Sequence, residues 1–334
     1  MRAVVTGGNG FLGRYIVEQL AARGDEVRVI GRGDYPELRA LGVACYRADL
    51  AAEGDCAAAL RGADVVFHVA ARAGIWGDWG EFYRNNVTAT QHILRSAARA
   101  GVPKLVYTSS PSVAIGMADL RGADESTPYP ERYLAPYPHT KALAERYVLA
   151  QRDILTVALR PHLIWGPRDP HIIPRLLARA RAGRLRRIGD GTNLVDVTYV
   201  ENGALAHLQA ADSLGERSAS RGRAYFIGQA EPVNLWAFIG ELIERAGLPP
   251  AKGAISARAA MRVAAILEQI YTLARIDREP PLTRMMVAQM SMSHWFDHRA
   301  AARDFGYTAP ITTEEGLRRT AEWIRAGPLR ATVS

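Results

Sequence analysis

The chain has 334 residues, 48% apolar and 23% charged, a balance that excludes a disordered polymer and supports one large core or two lobes. Its 42 basic and 34 acidic residues leave a formal charge of +8, which would suit an anionic ligand, but the arginines are scattered, no nucleic-acid motif accompanies them, and no nucleic-acid partner is expected. Cys45 and Cys56 offer neither metal-ligand spacing nor a disulfide framework, no apolar run reaches the roughly 18 residues of a membrane span, and the chain starts on a strand-like run rather than a secretory leader, so a reducing, cytoplasmic setting is expected.

Arg2 to Thr6 reads as a short apolar strand running into Gly7-Gly8-Asn9-Gly10-Phe11-Leu12-Gly13, after which Tyr15, Ile16, Val17 and Leu20 keep helical spacing. Glycines at G-x-x-G-x-x-G spacing between strand and helix suit a dinucleotide. Gly7 permits the tight turn, Gly10 lets backbone approach a pyrophosphate, and Gly13 lets the helix pack closely with its N-terminus towards the anion. The second strand, Glu26 to Ile30, ends at Gly31-Arg32-Gly33, where an NAD site would usually carry an acid. Gly31 leaves room for a 2′-phosphate and Arg32 offers a cationic fork, which favours NADP(H) over NAD(H); Asp34 stands close enough to compete. The third strand, Val43 to Arg47, leads to Asp49-Leu50, where the carboxylate either accepts from the adenine amino group or caps the following helix.

Val65 to Ala71 is an apolar run of buried parallel-strand type, with small Ala70 and Ala71 letting a cofactor lie against the backbone and His68 reading as a satisfied core histidine. Trp76 and Trp79, between glycines, form either an apolar substrate wall or core packing. A long helix is expected from about Glu81 to Ala100, with Asn86 inside it holding neighbouring backbone. The strand Val102 to Ser109 ends in Tyr107-Thr108-Ser109-Ser110, hydroxyls at the ligand end of a parallel strand. The loop that follows, rich in Gly, Pro and Asp, reads as a substrate lid.

Tyr137 and Lys141 stand four apart at the start of a helix, which puts both on one face. An ammonium beside a phenol of pKa near 10 stabilises the phenolate and brings it towards a working general acid; the competing reading is an ordinary helix face with a solvated lysine. Val157 to Leu159 then leads to Arg160-Pro161, expected under the nicotinamide. A basic amphipathic helix from about Ile172 to Ala182 follows. Arg175, Arg179, Arg186 and Arg187 either meet a carboxylate or nucleotide diphosphate or form a solvated face. The segment Ala257 to Ala274 reads as a cap or interface helix rather than a span, and a membrane surface, a pathway enzyme or a second copy in a homodimer are the contacts it would serve. Trp165, Ile266, Ile270, Tyr271 and Leu273 are the apolar candidates for a substrate cap. His294 and His298 read as structural, with no metal expected.

Taken together, Thr6 to Gly13, Asp49-Leu50, Tyr107 to Ser110, Tyr137 with Lys141, and Leu159-Arg160-Pro161 followed by Gly166-Pro167 resemble the extended short-chain dehydrogenase/reductases, in the branch with the 3β-hydroxysteroid dehydrogenases. The resemblance covers nearly the whole chain. It implies that Ser110 polarises the substrate oxygen, Tyr137 exchanges its proton, and Lys141 lowers the tyrosine pKa and holds the nicotinamide ribose; Ser109 competes for the hydroxyl role. Tyr35 to Leu38, Ala71 to Gly77, Leu163 to Pro167, Gly189 to Gly191 with Val195-Asp196, Glu279 to Arg284 and His294-Trp295 look like the NADPH-dependent 2-alkyl-3-oxoalkanoate reductases of bacterial long-chain olefin and β-lactone biosynthesis.

The expected architecture is a doubly wound parallel α/β sheet of Rossmann type over residues 1–166, to which later strands and helices return, with a smaller C-terminal substrate lobe over 167–334. The expected activity is NADPH-dependent reduction of the 3-oxo group of a β-keto acid, in lipid metabolism. Its rivals are 3β-hydroxysteroid oxidation, nucleotide-sugar epimerisation, and a non-catalytic NADP-sensing regulator. The intact Ser110, Tyr137 and Lys141 set argues against the regulator, because a sensor needs only the cofactor half.

Overall fold

The computed structural model describes residues 1–52 and 56–327, so the last seven residues of the expected substrate lobe lie outside the described residues. Seven strands, β1 (Arg2–Thr6), β2 (Glu26–Gly31), β3 (Ala44–Arg47), β4 (Val65–His68), β5 (Lys104–Thr108), β6 (Leu155–Pro161) and β7 (Arg223–Ile227), form one parallel sheet in the order β3-β2-β1-β4-β5-β6-β7. Alternation along β1 sends Ala3 and Val5 to one buried cluster and Val4 to the other, so both faces are covered, as parallel sheets require. Because β1 pairs with β2 on one side and β4 on the other, the strand order reverses there and a crevice opens at the carboxyl ends.

Helix α1 (Phe11–Ala22) follows β1, and α2 (Ala89–Arg99) precedes β5. The long helix expected from Glu81 is interrupted: an α-helical turn at Trp79–Phe82 passes into a π-helical stretch, Tyr83–Thr88, before α2. Such widened turns gather near functional sites, and here the stretch contains the buried Asn86. Helix α3 (Pro136–Leu149) carries Tyr137 and Lys141 in its first two turns.

The smaller lobe has its own core around Trp165, Leu177, Tyr199, Phe238 and Leu242. It includes α4 (Ile172–Arg181), α6 (Leu235–Arg245), α7 (Ala257–Leu273) and α8 (Arg284–Ser291), whereas the intervening α5 (Val200–Ser213) returns to the large sheet and packs on α1. A four-stranded sheet runs through this lobe in the order Val233–Asn234, Leu194–Val195, His294–Phe296, Leu120–Ala123. The segment read as a lid therefore supplies a strand. It is tied down further by Tyr129 Oη donating to Glu145 at 2.6 Å, Tyr133 Oη donating to the Val113 carbonyl at 3.0 Å, and Glu125 accepting from the Phe226 amide at 2.9 Å. Among the described residues no helix is long and apolar enough to cross a membrane.

Candidate active site

At the end of β1, Gly7 has φ +68°, and a Cβ there would stand 2.9 Å from the Ala70 backbone. A Cβ on Gly13 would lie 2.2 Å from the Gly7 carbonyl oxygen, so any side chain at either position would push the turn apart. The result is a helix whose first turn has no side-chain cap, with Gly10 as N-cap. Its uncompensated N–H groups and Gly10, which a Cβ would crowd only at the Gly7 oxygen, suit a pyrophosphate, so the residues present fit a dinucleotide.

A cavity of about 700 Å³ runs from this turn into the smaller lobe. Every residue expected to bind the cofactor or carry the chemistry borders it: Gly7, Gly10, Phe11, Leu12, Gly13, Arg32, Asp49, Leu50, Ala70, Ala71, Ser110, Tyr137, Lys141 and Pro161. Ser109 borders it as well.

The floor is a directed chain of hydrogen bonds. Ala70 N–H donates to Thr6 Oγ1 at 3.2 Å, and Thr6 Oγ1 lies 2.8 Å from His68 Nδ1. Thr90 Oγ1 gives its proton to the Asn86 carbonyl at 2.6 Å, so it accepts from His68 Nε2–H at 2.9 Å, which fixes the ring's tautomer. Asn86 Nδ2 then donates to Thr140 Oγ1 and the Arg72 carbonyl, its Oδ1 accepts from Arg72 N, and Thr140 donates to the Tyr137 carbonyl at 3.0 Å. His68 is thus a satisfied core histidine, with burial bringing its pKa down to about 3. Asn86 joins the cofactor floor to the helix of Tyr137.

Tyr137 is half-buried, and desolvation of its phenol raises its pKa, against which the Ser110 hydroxyl pulls downward. Ser110 Oγ lies 2.8 Å from Ser112 Oγ, whereas Ser109 Oγ is buried with no partner among the described residues. Lys141 Nζ donates to the Thr108 carbonyl at 2.6 Å and stands 4.2 Å over the Tyr107 ring. Burial lowers its pKa to about 7. The expected lowering of the tyrosine by the lysine is not what this arrangement gives: the ammonium is engaged by Thr108 and is itself desolvated, so burial dominates both groups.

At the adenosine end, the space above Gly31 is filled by Tyr35, whose Oη would stand 2.4 Å from a Cβ there and accepts from Gly33 N at 3.0 Å. Asp34 pairs with Arg39 at 2.5 Å and does not border the cavity, while among the described residues no carboxylate bonds Arg32. Asp49 accepts from Ala51 N at 3.0 Å and pairs with Arg84 at 2.5 Å, so it serves its own turn as well as facing the cavity.

The distal half corrects the expected cap. Trp165 is packed against Tyr199 and Phe238 inside the lobe core, Trp76 meets Tyr271 edge-on, Trp79 lies against His139, and none of these borders the cavity. Ile266, Ile270 and Leu273 are exposed. The wall is built instead by Ile172, Leu176, Leu185, Ile188, Trp236, Met285, Met286 and Met290, with Arg175, Arg179 and Arg186 among them. Arg175 is neutralised by Glu279 at 2.8 Å, Arg179 donates to the Pro281 carbonyl at 3.0 Å, and Arg187 does not reach the cavity. The Met285-Met286 pair with Met290 was the sequence signal for this wall; apolar content alone pointed to the wrong helix. His162, which also borders the cavity, pairs with His294 at 2.9 Å, and His298 pairs with Asp196 at 3.0 Å.

A model of the 3-beta hydroxysteroid dehydrogenase/isomerase family matches residues 4–256. The chain is 45% identical over 324 residues, 96% of its length and 98% of the relative's, to a 2-alkyl-3-oxoalkanoate reductase of Stenotrophomonas maltophilia. It is 43% identical to one from Shewanella oneidensis, covering 95% of this chain and 84% of that one. Among solved structures, MoeE5 in complex with UDP-glucuronic acid and NAD superposes with a TM-score of 0.73 at 28% identity, over 98% of this chain and 99% of that one. The glycine turn, the Tyr137 and Lys141 helix and these likenesses have one reading: the chain belongs to the 3-beta hydroxysteroid dehydrogenase/isomerase family of extended short-chain dehydrogenase/reductases and is an oxidoreductase that uses a nicotinamide cofactor.

Proposed function

We propose that this protein reduces the 3-oxo group of a 2-alkyl-3-oxoalkanoate to the 3-hydroxy acid with NADPH, as a step in long-chain olefin or β-lactone biosynthesis. The observation that carries the substrate class is the distal wall, where Leu176, Leu185, Trp236, Met286 and Met290 offer an apolar lining with adaptable thioethers suited to alkyl chains. The two reductases of the same name at 45% and 43% identity support it.

Reduced nicotinamide, when bound, supplies the hydride for C3 of the substrate. Tyr137 donates the proton that converts the carbonyl oxygen to a hydroxyl, and Ser110, which lowers the Tyr137 pKa and is oriented by Ser112, polarises that oxygen. The influence of Ser110 on Tyr137 and its own contact with Ser112 favour it over Ser109, whose hydroxyl has no partner among the described residues. Lys141, one turn on and near half-titration at neutral pH, can restore the phenol proton. For the cofactor, Arg32 without a carboxylate partner would bind a 2′-phosphate, and Asp34, held by Arg39, is withdrawn from competing for ribose hydroxyls.

The test is NADPH oxidation with a 2-alkyl-3-oxo acid, a 3-ketosteroid and a UDP-sugar side by side. The acid is expected to turn over fastest; faster turnover of the steroid would replace this reading with the steroid one.

A further inference from the structure

Helix α7 rests Ala260, Ala264 and Glu268 on the body of the lobe, with Glu268 bound to Arg284 at 2.6 Å, and leaves its opposite face bare. Val263, Ile266, Ile270 and Leu273 follow one another at intervals of three, four and three, so they form a single stripe. Leu273 is 85% exposed. Ile255, just before the helix, and Ile276, just after it, are exposed as well. Of the twelve large apolar side chains exposed among the described residues, six therefore fall between residues 255 and 276, a concentration that marks a contact surface rather than scattered exposure.

The charges around it have one sign. Lys252, Arg258 and Arg262 stand at the N-terminal end and flank, and Arg275 and Arg278 at the C-terminal end, all exposed, and among the described residues no carboxylate pairs with any of them. Asp277 is the single exposed acid between Lys252 and Arg278. A two-fold contact with a second copy would bring these basic collars together with almost nothing to neutralise them. An apolar stripe with a basic border is instead matched by a surface that is apolar inside and anionic at its edge.

We infer that α7 is an interfacial helix that docks this protein on an anionic lipid bilayer, with Val263, Ile266, Ile270 and Leu273 entering the headgroup boundary and the surrounding arginines meeting lipid phosphates. The stripe adjoins the site. Trp76, next to the cavity-lining Ile75, donates from Nε1 to the Ile276 carbonyl at 3.4 Å and sets its ring edge-on to Tyr271 at 6.3 Å. An alkyl substrate of low water solubility would then pass from lipid to cavity across a short rim, a benefit that rests on the proposed reaction; the docking itself does not.

Co-sedimentation of the full chain with phosphatidylcholine vesicles, with and without phosphatidylglycerol, tests the inference without any substrate. Binding is expected to be tighter by roughly ten-fold or more on the anionic vesicles and to weaken as salt is added. Ile266→Ser with Leu273→Ser should abolish it, and Arg262→Glu with Arg278→Glu should reduce it to the level on neutral lipid. Both variants change exposed side chains and should reduce a short, water-soluble 2-alkyl-3-oxo acid at the unmodified rate. Failure of the native protein to bind, equal binding to both vesicle types, or binding that survives both variants would overturn the inference. A concentration-dependent dimer abolished by Ile266→Ser with Leu273→Ser would assign the face to a second copy instead. Lack of β-keto acid turnover together with intact vesicle binding would sink the proposed reaction and leave the docking standing.

Discussion

Glu145 stands one helical turn beyond Lys141 and two beyond Tyr137, and its carboxylate takes both Arg160 Nη2 and Nε, at 2.7 and 2.9 Å, from the strand that ends at Pro161. Both groups are buried. The pair locks the helix of the proposed acid to the strand bordering the cofactor half of the cavity, and Tyr129 adds a third bond at 2.6 Å.

Removing one partner of that pair leaves a buried charge uncompensated. Glu145→Gln is expected to cost about 3–5 kcal/mol, read as a lower urea midpoint. A loss below about 1 kcal/mol, the scale of exposed pairs, would show that the clamp contributes little.

Tyr137→Phe should lower kcat by at least about 100-fold, the lower end of what a positioned proton donor contributes, while NADPH still binds. Stopped-flow turnover beside a fluorescence titration of NADPH separates the two. Near-normal turnover would move the acid elsewhere.

Arg32→Ala should weaken NADPH far more than NADH, because the guanidinium it removes bonds the 2′-phosphate that only NADPH carries. Equal weakening of both, measured by titration, would make Arg32 a support of the fold.

Acid should destabilise the protein through its buried histidines. His68 is depressed to about 3, and His207 and His294 to about 4, by burial. Their contribution is fully present above the unfolded value of 6.5 and is lost as pH falls towards 4 and 3, because the unfolded chain takes up protons that the native state refuses. Each group adds about 1.4 kcal/mol per pH unit in that window. Denaturant melts between pH 7 and 4 should show the decline, and His68→Gln should make it shallower. An unchanged slope would mean that His68 is protonated in the native state.

Lengthening the alkyl chain should raise kcat/KM by up to several-fold per carbon, at about 0.8 kcal/mol per buried methylene, until the distal wall is filled. Met290→Trp should bring the plateau to shorter chains, and Ile270→Asp should leave it unchanged, since Ile270 faces solvent. A shift of the plateau with Ile270→Asp alone would return α7 to the substrate wall.

The dinucleotide turn, the buried His68 and Asn86, and the placing of Tyr137 and Lys141 on one cavity wall were legible in the sequence because their positions follow from local geometry: a strand entering a glycine turn, a run buried on both faces, two residues one turn apart. The substrate wall was not. Met285, Met286 and Met290 reach the cavity through a sheet that pairs Leu120–Ala123 with His294–Phe296, a contact across more than 170 residues that no local pattern encodes. The apolar content of α7 and Trp165 is equally compatible with core, wall or bare surface, and the structure divides them between the last and the first. The segment before Tyr137 has the composition of a mobile loop, but Tyr129, Tyr133 and Glu125 bind it to the body of the protein.

The central claim is hydride transfer to C3 with the proton from Tyr137. Single turnover of a 2-alkyl-3-oxoalkanoate with NADPH deuterated at the transferable C4 position should yield a 3-hydroxy acid carrying one deuterium on C3, and Tyr137→Phe should all but abolish that product while NADPH remains bound. A product without deuterium at C3, or full labelled product from Tyr137→Phe, would contradict the account.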